Sequence, residues 1–401
     1  MATTMDWWHS KRAWPAPPYG HLPALDGLRG VLVWFVALRH FNDLWNPSTP
    51  KEHIYSFFVH LSITALDVFF AMSGFLITGI LLESKGKQFY FRNFYIRRTL
   101  RIFPVYYAFL FVWFILLPLV VRDPHAPFRQ PALVQVWYWT YTTNFMIALR
   151  AAPFAPGTYH FWSLAYEEQF YFLWPAVVFL CSRKALIRFT IGAFFFALLF
   201  RTASMLLGWP YEAGFLLLPG HIDPLALGCL LALVAHDPSW RERISKWAAP
   251  AWMASFAVIA GIIVSTEHFL PEQPVVRTIG MTASAICAAA TIVIVASLTV
   301  GSWPHRFLAS KPMVQLGTYS YAWYILHYPV RQLTELLGLH EIQFTKWLHI
   351  RLLGQLVYTA FLTALAVVAA ALSWHLLEKR MLKLKRLFPY GQALKPVPPA
   401  P

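Results

Sequence analysis

The stretch Leu25-Asp-Gly-Leu-Arg-Gly-Val-Leu-Val-Trp-Phe-Val-Ala-Leu-Arg-His40 decides what kind of fold this chain adopts. It opens on a charged, glycine-punctuated turn, Asp26-Gly27-Leu28-Arg29-Gly30, continues as an apolar run, and carries Arg39 and His40 at its far end. At about 1.5 Å per helical residue, His40 lies roughly 16 Å from Arg29. That is near the middle of a hydrocarbon core about 30 Å thick. An ionisable side chain at that depth costs about 3 kcal/mol and is kept where it has a partner or a task. The first helix therefore predicts a membrane protein and a candidate catalytic histidine.

The remainder of the 401 residues agrees. The chain is 58% hydrophobic and 13% charged, a balance outside the soluble globular range. Apolar runs long enough to span recur near 28–45, 56–82, 102–121, 160–180, 186–207, 214–235, 247–265, 277–300, 313–336 and 351–377. Basic clusters at 11–29, 85–101, 183–188, 241–246, 306–311 and 379–395 alternate with these runs. The positive-inside rule then puts all six clusters and both termini in the cytoplasm. The expected fold is all-α and polytopic, with about ten transmembrane helices. The net charge of +15 follows from those loops, and this distribution argues against a nucleic-acid partner.

The expected organisation is an interfacial segment over 1–21, with Trp7, Trp8 and Trp14 as anchors, a membrane domain over 22–380, and a basic, proline-rich tail over 381–401. The tail is expected to be disordered from Pro389 onward. The long connection 122–159 reads as an interfacial or re-entrant segment on the outer side. Cys181, Cys229 and Cys287 show neither metal-ligand spacing nor a disulfide framework.

Four further stretches carry ionisable groups into apolar surroundings. In Phe161-Trp-Ser-Leu-Ala-Tyr-Glu-Glu-Gln-Phe-Tyr-Phe-Leu-Trp-Pro175, Ser163 and Glu167 share a helix face, four residues apart. Descending from the outer side, Glu167 reaches nearly the depth of His40 and is expected to orient its ring, as a carboxylate does in a triad. Glu168 beside it either supports this or bonds a neighbouring helix. In Arg97-Arg-Thr-Leu-Arg101, guanidinium groups spaced i,i+3 and i,i+4 converge at a helix start. They serve topology alone or bind a phosphorylated ligand from the cytoplasm. Asp67 sits mid-span and needs a partner, for which Arg29, Arg39 or His40 are the candidates. His327 is a further intramembrane group, read chiefly as a structural hydrogen-bonder. His221 and Asp223 either contact an acceptor or cap their helix. Arg39, next to His40 in sequence, is expected to point elsewhere on the helix.

Taken in order, these segments resemble the membrane-bound acyltransferase-3 proteins of bacterial polysaccharide and lipid modification. The resemblance rests on DGLRG at 26–30 with His40, DVFFAMSGFLIT at 67–78, RRTLRIFPVYY at 97–107, FWSLAYEEQFYFLWP at 161–175, HIDPLALGCLLA at 221–232, LGTYSYAWYILHYPV at 316–330 and a closing Glu378. It implies transfer of an acyl group, commonly acetyl, from acyl-coenzyme A to a carbohydrate hydroxyl. His40 would be the essential residue, with Glu167 as its partner. Arg29, Arg97, Arg98 and Arg101 would lie near the donor, with Asp26, Asp67, Ser163, Glu168 and His327 in support. Ser163, Tyr166 or an arginine would face the developing oxyanion. No permanently bound cofactor and no metal are expected, and the chain would be of the stand-alone kind without an esterase-like domain. Expected partners are acyl-CoA, the carbohydrate acceptor and the bilayer, with a homo-oligomer or an envelope-synthesis assembly left open. A transporter or flippase for a lipid-linked sugar is the rival reading, and a structural scaffold a third.

Overall fold

The computed structural model describes residues 22–123 and 126–390. The expected anchor over 1–21 and the tail beyond residue 390 lie outside the described residues, which form helices and connecting loops with no strand among them. The principal helices are α1 (Pro23–His40), α2 (Pro50–Leu61), α3 (Thr64–Ser84), α4 (Tyr90–Phe111), α5 (Phe161–Leu180), α6 (Arg183–Leu206), α7 (Asp223–Val234), α8 (Pro238–Thr266), α9 (Met281–Ala296), α10 (Lys311–Leu336) and α11 (Arg351–Ser373). A helix occupies each expected span. Among the described residues, six stretches are long and apolar enough to cross a membrane: Pro50–Ser84, Tyr90–Val120, Arg183–Leu206, Pro238–Thr266, Val276–Ala296 and Arg351–Leu387.

The other four positions depart from the expectation of ten similar spans, for a physical reason. α1, α5 and α10 are interrupted by charged, hydroxylated and aromatic residues, and α7 has only 12 residues. Such helices need protein neighbours rather than lipid. α6 and α8 instead turn Phe195, Leu199, Met253 and Val264 outward, as lipid-facing helices do.

α1 starts at Pro23 and stops at His40, several residues before the expected end. Its ends suit the helix dipole, with Asp26 in the first turn and Arg39 and His40 in the last. Beyond His40 the backbone finds other partners. Gln355 Nε2 donates to Phe41 O at 2.9 Å, Asn42 Oδ1 accepts from Leu44 N, and Arg331 Nη1 donates to His40 O at 2.7 Å. His40 is thereby fixed at a helix terminus held from two sides.

The crossing of α1 with α10 is a backbone-to-backbone contact. A Cβ on Gly317 would sit 1.8 Å from Asp26 O, and one on Gly30 would sit 2.4 Å from Met313 O. α3 and α7 meet the same way, through Gly74 against Leu225 O and Gly228 against Ala71 O, at 2.2 and 2.0 Å. Small residues permit this approach where no hydrophobic driving force separates helix from lipid. The connection 122–159 contains two short helices, Ala132–Trp139 and Thr143–Ala148. It folds back onto the bundle through Tyr106 OH donating to Tyr138 O and through paired amides of Asn144 and Gln169.

Overpacking a filled contact costs about 1–3 kcal/mol or more. Gly317→Val is therefore expected to lower the thermal midpoint in detergent by several degrees. Gly192→Ala, with open space around it, serves as control and keeps the wild-type midpoint. Equal melting of Gly317→Val and wild type would show that the crossing is not tight.

Candidate active site

Two sets of cavities lie back to back in the bundle, called inner and outer after the expected cytoplasmic and opposite ends of α1. The inner one, about 460 Å³, is lined by Asp26, Arg29, Arg98, Arg101, Ser163, Glu167 and Glu168, among others, and by Lys385 from the segment after α11. Arg29 pairs with Asp26 at 3.3 Å. Arg98 lies 5.4 Å from the Tyr171 ring centroid. Among the described residues, neither Arg98 nor Arg101 has a carboxylate within 4 Å. Part-buried guanidinium groups that line a cavity without a direct carboxylate contact, as Arg98 and Arg101 do, suit an anionic ligand, since guanidinium forks bind phosphate oxygens two at a time.

Arg97 does not join them. Its guanidinium donates to Lys385 O and Phe388 O at 2.8 and 3.1 Å and lies over the Tyr390 ring. Asn93 Nδ2 holds Pro389 O. The start of the expected disordered tail is therefore tied to α4, and Arg97 is a tether rather than a cavity residue. Two arginines adjacent in sequence leave the helix about 100° apart, which is why Arg97 and Arg98 divide the work.

His40 opens onto the other side. It lines two outer cavities of about 450 and 240 Å³ that share Arg39, His40, Trp45, Tyr159 and Tyr328. Arg39 thus faces the same space as His40, against the expectation. Both reach it because the cavities open over the end of α1. The smaller outer cavity and the inner one share Leu66 and Tyr324 in their walls. Tyr324 OH meets Ser163 Oγ at 2.6 Å and donates to His160 O at 3.3 Å. Tyr324 and Leu66 thus stand between the arginine-lined cavity and the one that His40 lines.

The ring partner of His40 is His327, not Glu167. His40 Nδ1 lies 2.7 Å from His327 Nε2, and His327 Nδ1 lies 2.7 Å from the carbonyl oxygen of Tyr324. A carbonyl only accepts, so His327 carries its proton on Nδ1. In the neutral pair, His327 Nε2 is then the acceptor, and His40 donates to it from Nδ1. His40 Nε2 is left with a free lone pair, the form a general base requires. His327 packs flat on Trp323, with centroids 4.6 Å apart, and is fully buried. The expected structural histidine is thus the residue that fixes the tautomer of His40.

Glu167 instead accepts from Ser73 Oγ at 2.9 Å, and Tyr171 OH donates to the same Ser73 oxygen. It faces the inner cavity with Glu168, across the partition from His40. A shared depth along the membrane normal did not mean a shared pocket. Tyr166 OH donates to His221 O at 2.8 Å and is fully buried, so it is not placed to meet an oxyanion, whereas Ser163 stays on the cavity wall. Asp67 is bound by His221 Nε2 at 2.7 Å and by Ser284 Oγ rather than by Arg29, Arg39 or His40. Asp223 receives both terminal nitrogens of Arg201, at 3.0 and 2.9 Å, entirely out of solvent. His221 and Asp223 are scaffold residues.

Sequence reasoning passed over His160 and Tyr324. His160 lines the smaller outer cavity, stacks on Tyr328 at 5.2 Å and lies 4.7 Å from His327. The available signal was its place immediately before the Phe161–Pro175 stretch. No group of His, Cys, Asp and Glu able to hold a metal occurs among the described residues.

Residues 22–375 match a family model described as an acyltransferase domain. The chain is 29% identical over 386 residues to YrhL of Bacillus subtilis (strain 168), covering 90% of this chain and 54% of that protein. It is 27% identical to the peptidoglycan O-acetyltransferase OatA of Listeria monocytogenes (78% and 50%) and 26% identical to the O-acetyltransferase OatA of Staphylococcus aureus (77% and 50%). The chain spans about half the length of the curated relatives it matches. No solved structure matches it.

Leaving buried hydrogen-bonding groups without their partner costs about 1–3 kcal/mol each, and more where a charge is involved. Asp67→Ala is therefore expected to lose most folded protein on detergent extraction, while Asp67→Asn, which still accepts from Ser284, loses less. Size-exclusion yield and thermal midpoint report this. Wild-type stability of Asp67→Ala combined with lost turnover would move Asp67 from scaffold to chemistry.

Proposed function

Given that the chain belongs to the family of this acyltransferase domain, we propose that it is an integral-membrane O-acyltransferase of the bacterial inner membrane. It moves an acyl group, acetyl by preference, from acyl-coenzyme A to a hydroxyl of a cell-envelope carbohydrate. The similarity to peptidoglycan O-acetyltransferases favours peptidoglycan or a similar glycan as acceptor. The observation that carries the reading is the back-to-back arrangement. Arg29, Arg98 and Arg101 line one cavity, and a histidine with a free Nε2 lines the next.

In this scheme the donor's phosphates rest against the three guanidinium groups and its thioester arm reaches toward Tyr324. The acceptor occupies the outer cavities. Its hydroxyl gives a proton to His40 Nε2 as the oxygen attacks the thioester carbonyl carbon. The C–S bond breaks, and the departing thiolate takes the proton back from His40. His327 holds the ring and stabilises its charge while the proton is there. Ser163 and the Tyr324 hydroxyl stand where donors to the oxyanion are needed. A positioned base contributes about 10²–10⁴-fold, and fixing both reactants supplies much of the remainder. The thioester is already activated, so the scheme includes no metal.

The test uses purified protein in nanodiscs with labelled acetyl-CoA and glycan. Wild type is expected to release coenzyme A and label the acceptor. His40→Ala abolishes both, and His327→Ala lowers kcat by about 10²-fold, within the range for a positioned base. Replacing Arg98 and Arg101 by Ala raises KM for the donor about tenfold with a smaller effect on kcat, as loss of uniform binding does. A protein that moved its substrate without consuming thioester would be a transporter instead, and full turnover by His40→Ala would remove the base from this scheme.

A further inference from the structure

Two arginines face the outer cavities, and their circumstances are opposite. Arg331 is saturated, with Nε donating to Glu335 at 2.7 Å, Nη2 to Asp43 at 2.6 Å and Nη1 to His40 O at 2.7 Å. It holds the end of α1 and has nothing left for a ligand. Arg39 has no comparable set. Its guanidinium carbon lies 4.9 Å from the Trp45 ring centroid, and its Nη1 is buried without a hydrogen-bond partner. Glu272 shares the smaller cavity but stays outside ion-pair distance of Arg39, and no other carboxylate among the described residues comes within 4 Å of it. A guanidinium in this state is incomplete, because one buried N–H has no acceptor and no carboxylate meets it directly.

Its position says what completes it. Arg39 and His40 occupy consecutive positions at the end of α1, with Cα atoms about 3.8 Å apart, and both line both outer cavities. The rings of Trp45, Tyr159 and Tyr328 complete the shared wall, giving flat apolar surfaces of the kind that meet the C–H faces of sugars. A group bound by Arg39 therefore lies within one sugar residue of the hydroxyl presented to His40. The guanidinium fork matches a carboxylate or a phosphate.

We propose that Arg39 binds an anionic substituent of the acceptor close to the reacting hydroxyl, which makes acidic glycans the acceptor class of this protein. The proposal rests on the acyl-transfer reading above and adds the charge of the acceptor to it. It treats Arg39 as a specificity residue and leaves the chemistry to His40.

The test compares three acceptors of matched length: a neutral N-acetylglucosamine oligomer, an oligomer carrying carboxylates, and one carrying phosphodiesters. Wild-type protein in nanodiscs is expected to use at least one anionic oligomer about tenfold better than the neutral one, by kcat/KM. The two anionic arms identify which group is read. Arg39→Gln should bring that ratio close to one, chiefly through KM, and Arg39→Lys should restore part of it. A ratio near one in wild type, or a preference that survives Arg39→Gln, overturns the proposal. Binding of the same oligomers without donor, followed by tryptophan fluorescence, decides the matter independently of turnover. Tighter binding of an anionic oligomer that Arg39→Gln abolishes supports it, and binding indifferent to charge defeats it. Absence of coenzyme A release with every acceptor defeats the acyl-transfer reading alone.

Discussion

The glycine contact between α1 and α10 is the constraint on which the site depends. His40 and His327 come from helices whose backbones touch at Gly30 and Gly317, and only at that separation can two imidazoles 287 residues apart share a 2.7 Å hydrogen bond. A side chain at either glycine would push the axes apart along their whole length. The arginines of the inner cavity depend on the same crossing, because Arg29 leaves α1 within the contact zone. Chemistry at the end of α1 is thus set by sterics two to three turns away.

The polar groups inside the bundle divide into two kinds by whether acidic and basic side chains meet directly. Asp67 meets His221 and Ser284, and Asp223 meets Arg201. Such direct contacts fix helix positions. Arg98, Arg101 and Arg39 instead line cavities, with no carboxylate among the described residues within 4 Å. A guanidinium in that position keeps its fork open to a ligand, and the proposed donor and acceptor sites rest on this difference.

Much of this was legible in the sequence and some of it was not. Membrane embedding, the all-helical architecture and the position of each helix followed from apolar runs and basic loops. The convergence of Arg29, Arg98 and Arg101 on one space followed from helical spacing and charge, whereas Ser163, Glu167 and Glu168 share that space against the expectation that Glu167 would meet His40. What spacing cannot give is which neighbour a helix face meets. Asp67 found His221, on the residues just ahead of α7, because Gly74 and Gly228 bring α3 against α7. Glu167, expected at nearly the depth of His40, lines the cavity on the other side of Tyr324 and bonds Ser73. Helix propensity likewise did not reveal that α1 ends at His40, since the groups that end it come from α10 and α11.

The partition at Tyr324 has a consequence for the cell as well as for the reaction. Two cavities that meet end to end would, if joined, give water and ions a path along the bundle. Tyr324 and Leu66 stand at that meeting point. In the proposed reaction the acceptor oxygen must touch the acyl carbon, so these two side chains would have to part for transfer and close again afterwards. Insulation and group transfer would then compete for the same two residues.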